Sequence, residues 1–215
     1  MSPRRSSADS TASQRIQNLS LLHQARLSRL TRNAASVTAK YGAGSAQATT
    51  AQAAVTASNA TIARVAIVKQ QVATPAPQVA STGWALHGRV FNADLQPVSG
   101  YTVFLVDAQN AYQSAHGFAY TDSTGYFLLN FAGTPATGKG QKAQQAAQLT
   151  AQIPSELFVE IANSKSEPVY LATTTLQPTL GTATYQNVTL AAGEKPIGDP
   201  PDAIRKVALP PAEKS

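Results

Sequence analysis

Two different periods of apolar residues divide the chain. Ile16, His23, Leu30 and Val37 recur every seven residues, and Ser20, Leu27, Ala34 and Tyr41 form a second series offset by four. Leu19 and Leu22 widen this stripe into an amphipathic helix with a coiled-coil-like seam. Ser13 is placed to cap its start. Gly42-Ala-Gly44 then interrupts the pattern, and glycine there favours a stop or bend. An Ala-rich second stretch follows, with Val55, Ile62, Val65 and Val72 at helical spacing. Residues 13–72 therefore read as a helical arm: a hairpin, or one long bent helix. Neither helix can bury its stripe alone, so the arm is expected to associate with another copy or a protein partner, with an intramolecular hairpin as the close alternative. Pro75 and Pro77 make residues 73–81 a linker.

From Gly83 the period changes to two. Trp84 to Phe91, Tyr101 to Val106, His116 to Thr121, Tyr126 to Phe131, Leu157 to Ala162, Val169 to Thr173 and Ala183 to Leu190 alternate as seven short strands. Seven such strands over residues 82–191 predict an all-β antiparallel sandwich. Residues 133–154, mostly Ala, Gln, Gly and Lys, form an inserted loop, in which Gln141 to Gln152 has the composition of a short helix. Residues 192–215 are Pro-rich and charged, and are expected to be a disordered tail. Residues 1–12 read as a disordered basic tail.

Within the β region two runs resemble the carboxypeptidase regulatory-like domain family. Gly88-Arg-Val90 leads through a polar turn to Pro97-Val-Ser-Gly100 and an alternating strand, and Thr121-Asp122-Ser-Thr-Gly125-Tyr-Phe127 matches the second signature of that family. The resemblance spans about half the chain and implies a transthyretin-like (prealbumin-like) sandwich serving as an accessory, adhesive or scaffolding module. Intradiol dioxygenases share the opening motif. Their iron needs two tyrosines and two histidines, the histidines as His-x-His, whereas His23, His87 and His116 here are well separated.

Charge alters the picture of the arm. Residues 1–80 carry nine Lys or Arg and one acid, Asp9, for a net +8, while residues 81–215 are net −2. That asymmetry suits an anionic partner, nucleic acid included, but no aromatics interleave the basic residues as single-strand binders require. The chain has no cysteine, so it has neither disulfides nor thiolate metal sites. No apolar run resembles a secretory leader or a membrane span, so a cytoplasmic location is expected, with non-classical export or envelope association as the other reading.

Candidate chemistry is sparse. Asp94, Asp107 and Asp122 lie in loops that could meet around Ca²⁺, but loop aspartates more often support turns. His87, beside Arg89, reads as part of a polar outward face, His23 as a tolerated seam residue, and Trp84 as core. Gly138-Lys-Gly140-Gln-Lys142 lacks the context of a phosphate loop. No residue is assigned as catalytic, cofactor-binding or metal-binding. The expectation is a non-enzymatic structural or interaction protein: a β-sandwich scaffold with a helical arm for self-assembly or docking. A carbohydrate- or cell-envelope-binding module acting through the sandwich loops is one alternative. Binding of nucleic acid or an anionic surface by the basic arm is the other.

Overall fold

The computed structural model describes residues 7–132, 156–198 and 202–205. The inserted loop at 133–154 and residues 1–6 lie outside them. The chain forms two compact units, Met1–Pro75 and Ala76–Ser215.

The first unit is a helical hairpin. Helix α1 (Ser7–Tyr41) starts six residues before the expected cap at Ser13, and α2 (Ala46–Ala73) packs back against it. The heptad seam of α1 is the face that meets α2: Ile16, Ser20, His23, Leu27, Leu30 and Val37 are half-buried and Ala34 is buried. The helices therefore use their stripe on each other first. Gly42 makes the turn at φ +84°. Ser45 caps α2, its Oγ accepting from the Ala48 N–H at 3.1 Å and donating to the Gly42 carbonyl at 2.8 Å. Thr74 closes α2, donating its N–H to the carbonyls of Gln70 and Gln71 just before Pro75. No helix among the described residues is long and apolar enough to cross a membrane.

The second unit is built on two facing sheets. β1 (Trp84–Phe91), β4 (Tyr126–Phe131) and β7 (Ala183–Thr189) make one, in the order β4-β1-β7. β2 (Thr102–Val106), β3 (Phe118–Tyr120), β5 (Phe158–Ala162) and β6 (Pro168–Leu171) make the other, in the order β3-β2-β5-β6. Period-two alternation sends Trp84, Leu86, Val90, Phe127, Leu129 and Val188 inward from the first sheet. They meet Val103, Leu105, Val159 and Ile161 from the second in one core. The expected all-antiparallel arrangement is corrected at one place: β1 and β7 pair in parallel over seven residues. Parallel neighbours need a long crossover, and here the rest of the unit supplies it. At their centre lies Gly88, where an added Cβ would stand 2.6 Å from the Gln186 carbonyl carbon.

One loop design is used four times. Asn92, Asp107, Asp122 and Asn163 each accept, through one side-chain oxygen, the N–H groups two and four residues on, at 2.7–3.0 Å. In each loop the first residue also donates its N–H to the carbonyl four on and accepts from the N–H three on. The fourth residue of each loop has positive φ: Leu95 at 61°, Asn110 at 60°, Gly125 at 72° and Ser166 at 64°. This is a tight turn that an Asx side chain holds closed.

Two described pieces of the tail, 192–198 and 202–205, make contacts with the β unit. Glu194 accepts a hydrogen bond from the Tyr101 hydroxyl at 2.8 Å, which together with burial pushes that phenol up to about 12. A helical turn, α3 (Asp202–Arg205), buries Ile204.

Candidate functional site

The outer face of the three-stranded sheet gathers the polar side chains of the β unit. β1 is its middle strand, so alternation that sends Leu86 and Val90 inward sends His87 and Arg89 outward. Register then places Tyr185 of β7 beside His87, and Tyr126 of β4 and Asn187 of β7 on either side of Arg89. His87 is the floor of this group, only 2% exposed, while Arg89, Tyr126, Tyr185 and Asn187 are half-buried around it. His87 lies on the polar outward face its alternation implies, and two flanking phenol rings cover its imidazole there.

Geometry ties the group together. The Tyr126 hydroxyl lies 3.4 Å from His87 Nδ1, and the Tyr185 ring meets the imidazole edge-on at 5.0 Å between centroids. The Arg89 guanidinium sits over the Tyr126 ring, 5.6 Å from its centre, and its Nη1 donates to the carbonyl and hydroxyl of Thr124. Arg89 Nε and Asn187 Oδ1, on register-paired residues, are buried without a hydrogen-bond partner. Burial holds the His87 imidazole below its ordinary value, so it is neutral at pH 7. Burial raises the Tyr126 phenol, which the Arg89 charge opposes. The face therefore offers a neutral imidazole, phenol hydroxyls and a fixed positive charge within one turn of strand.

The other sequence candidates are dispersed. His116 sits in a short 3₁₀ turn (Ser114–His116), not in a strand, and is buried against Trp84 and Phe131, with ring centroids at 5.1 and 5.3 Å. Trp84 is core, as its alternation implies. His23 lines a cleft of about 140 Å³ between α1 and α2 with Arg26 and Ser58. Asp107 and Asp122 each commit Oδ1 to their own turns, Asp107 Oδ2 accepts from Gln113 Nε2, and Asp94 is exposed. Burial alone would raise Asp122, but hydrogen bonds from Thr124 and Tyr126, with the Arg89 charge nearby, hold it below the usual range. Among the described residues no group of three His, Cys, Asp or Glu is arranged to hold a metal. The segment Gly138–Lys142 lies outside the described residues. Sequence reasoning missed Tyr126 and Tyr185. Their strand positions were legible, but the pairing that brings both to His87 was not.

No known family's sequence profile matches the chain, and no characterised protein matches it in sequence. Solved structures do match. The 3-chlorocatechol 1,2-dioxygenase of Rhodococcus opacus 1CP is 16% identical, over 54% of this chain and 67% of that one, with a TM-score of 0.29. The hydroxyquinol 1,2-dioxygenase of Pseudomonas putida DLL-E4 is 13% identical, over 53% and 58%, at 0.29. Catechol 1,2-dioxygenase of Acinetobacter radioresistens is 12% identical, over 56% and 55%, at 0.30. The chain thus spans between about half and two thirds of these three proteins. The solved structures that resemble part of the chain are enzymes, which runs against the expectation of a non-enzymatic protein. The residues present do not fit an iron centre with a His-x-His pair, however. Two residues along β1 from His87 stands Arg89, whose guanidinium is no metal ligand.

Proposed function

We propose that the β unit binds a small planar molecule carrying an acidic hydroxyl or carboxyl group on the outer face of the three-stranded sheet. The observation that carries this is a neutral imidazole, 2% exposed, held between two phenol rings and beside Arg89. The covered imidazole orients the Tyr126 hydroxyl at its Nδ1, and a ligand meets the half-buried phenols and Arg89 around it. The guanidinium stabilises an anionic group on that ligand, and the phenols offer flat walls and hydroxyl donors. The test is two-dimensional NMR of the full chain titrated with 4-hydroxybenzoate, with glucose as a control. Saturable shifts at His87, Tyr126 and Tyr185, weakened at least tenfold by Tyr185→Phe, support the reading. No shifts with millimolar 4-hydroxybenzoate refute it.

The loop chemistry also supports a transthyretin-like sandwich of the carboxypeptidase regulatory-like kind. Asp122 and Gly125 of the second signature close one turn, and Gly125 lets Val90 of the first signature approach. An added Cβ on Gly125 would stand 2.5 Å from the Val90 carbonyl oxygen. An experimental structure with a different strand order would sink that assignment.

For the helical unit we infer association with a second copy of the chain. The hairpin fully buries Ala34, Ala48, Val55 and Ser58, all small or medium in size, and leaves Leu19, Leu21, Leu22, Val68 and Val72 exposed. Two basic hairpins repel each other, so association through that apolar set strengthens with salt. A light-scattering mass that falls as salt rises, or stays monomeric throughout, overturns it.

A further inference from the structure

The cleft between α1 and α2 gathers hydrogen-bond donors that the hairpin itself leaves unused. It is lined by His23 and Arg26 of α1 and by Ala54, Ala57, Ser58 and Thr61 of α2. Helical spacing explains the grouping, because residues three, four and seven positions apart share one helix face. Ala54 and Ala57 are too short to fill the space between the helices, which leaves about 140 Å³ open. Ser58 differs from its neighbours. On the same helix Thr49, Thr50, Thr56 and Thr61 each donate their hydroxyl to the carbonyl four residues earlier, at 2.9–3.2 Å. Ser58 does not: it is 7% exposed, and its Oγ is buried without a hydrogen-bond partner. Its hydroxyl is not spent on its own helix and is available to the cleft it lines. A buried hydroxyl in that state costs stability that a ligand in the cleft would recover.

We propose that this cleft binds a small oxyanion, with inorganic phosphate as its simplest form. The groups free to bond there are donors. The Arg26 guanidinium offers a planar fork of N–H groups, the His23 imidazole a ring N–H, and Ser58 a hydroxyl. Thr61 has its hydroxyl hydrogen committed to the Ala57 carbonyl. No carboxylate of the hairpin competes for the guanidinium. Residues 10–80 contain no Asp or Glu, and Asp9 lies seventeen residues before Arg26, about 25 Å along the helix. The net charge of +8 over residues 1–80 draws anions to this unit. Arg26 is exposed, so the cleft is reached from solvent. At about 140 Å³ the cleft is smaller than the roughly 300–1,000 Å³ that drug-sized ligands occupy, so its occupant is a single oxyanion and not a nucleotide.

Titration of the full chain with sodium phosphate in a chloride buffer at constant ionic strength, followed by two-dimensional NMR, tests this. The expected result is saturable shifts at His23, Arg26 and Ser58, half complete at or below millimolar phosphate. Arg26→Gln and Ser58→Ala should each weaken binding about tenfold, the effect of losing one hydrogen bond to a charged group. No saturable shift at millimolar phosphate overturns the proposal, as does unchanged affinity in either variant. Thermal unfolding followed by far-ultraviolet circular dichroism is the second measurement. Ser58→Ala removes a hydroxyl that has no partner, so without phosphate its hairpin should unfold at or above the wild-type temperature. A lower temperature means that the hydroxyl is already bonded within the hairpin, and overturns the proposal. Phosphate also strengthens folded proteins in general by exclusion from their surface, so the rise it causes must be larger in the wild type than in Ser58→Ala. An equal rise in both overturns the proposal.

Discussion

Replacing Gly88 by alanine places a methyl group against the backbone of β7. An added Cβ would lie 2.6 Å from the Gln186 carbonyl carbon and 3.2 Å from its nitrogen. The Gln186 carbonyl oxygen would be nearer still, and carbon atoms in contact sit about 3.5–4.0 Å apart, so β7 must retreat by about 1–1.5 Å in the middle of its pairing with β1. No side chain can give way, because the obstacle is main chain. Overpacking of this kind costs about 1–3 kcal/mol. Weakened parallel hydrogen bonds add about 1 kcal/mol, and the stiffer unfolded chain returns about 0.4–1 kcal/mol. The net expectation is a loss of about 1–3.5 kcal/mol from the β unit. If β7 detaches, Val188 is uncovered too and the loss rises by a further 1.5–3 kcal/mol or so. Trp84 is the chain's only tryptophan and lies in the β core, so urea unfolding followed by its fluorescence reports on this unit alone. Far-ultraviolet circular dichroism follows the hairpin. A shift below about 0.5 kcal/mol, the range of a neutral surface change, would refute the parallel β1–β7 pairing.

Leu95→Asn should stabilise the β unit by up to about 1 kcal/mol in the same urea assay, since leucine at φ 61° carries a left-handed strain that asparagine tolerates. Gly44→Ala, which meets no neighbour within 4 Å and needs no positive φ, should leave both unfolding signals within about 0.5 kcal/mol of wild type. Asp122 is held below its ordinary value of 3.8, so its contribution is present above that value and lost as pH falls through the folded value. Asp122→Asn should flatten that acid limb of the urea midpoint. His87 and His116 are likewise depressed by burial, so the stability they confer is complete above 6.5 and declines as pH falls below it. Imidazole resonances that titrate at or above 6.5 would contradict their burial.

Much of the local structure was legible before any coordinates. The seam from Ile16 to Val37 marks the buried side of α1, because a helix returns a residue to the same face every seven positions. Each of the seven observed strands overlaps an expected one; most alternate because a strand between core and solvent needs that period, whereas β2 is apolar and buried throughout. The helix start was misplaced: Ser13 can cap, but nothing local prevents the helix from beginning earlier, at Ser7. Of the four Asx-held turns, the one before Pro97 read as a polar turn and only the one ending in Gly125 showed its positive-φ residue in the sequence. Leu95, Asn110 and Ser166 adopt positive φ because the surrounding hydrogen bonds impose it, a cost that leaves no signature in residue type.

What the sequence alone determined is therefore the sum of its local preferences: two helices broken at Gly42, two prolines, then strands of period two. Tertiary structure decided which strands meet. Register between β1 and β7, more than ninety residues apart, brings Tyr185 to His87, and β4 brings Tyr126 to the same imidazole. The same holds on the other sheet, where Ile204 of the polar-looking tail comes to rest in an apolar cluster with Phe104, Val106 and Ala162. Periodicity records only which face a residue occupies. The partner on that face is set by long-range packing, in which the apolar area removed from water outweighs the entropy of closing long loops.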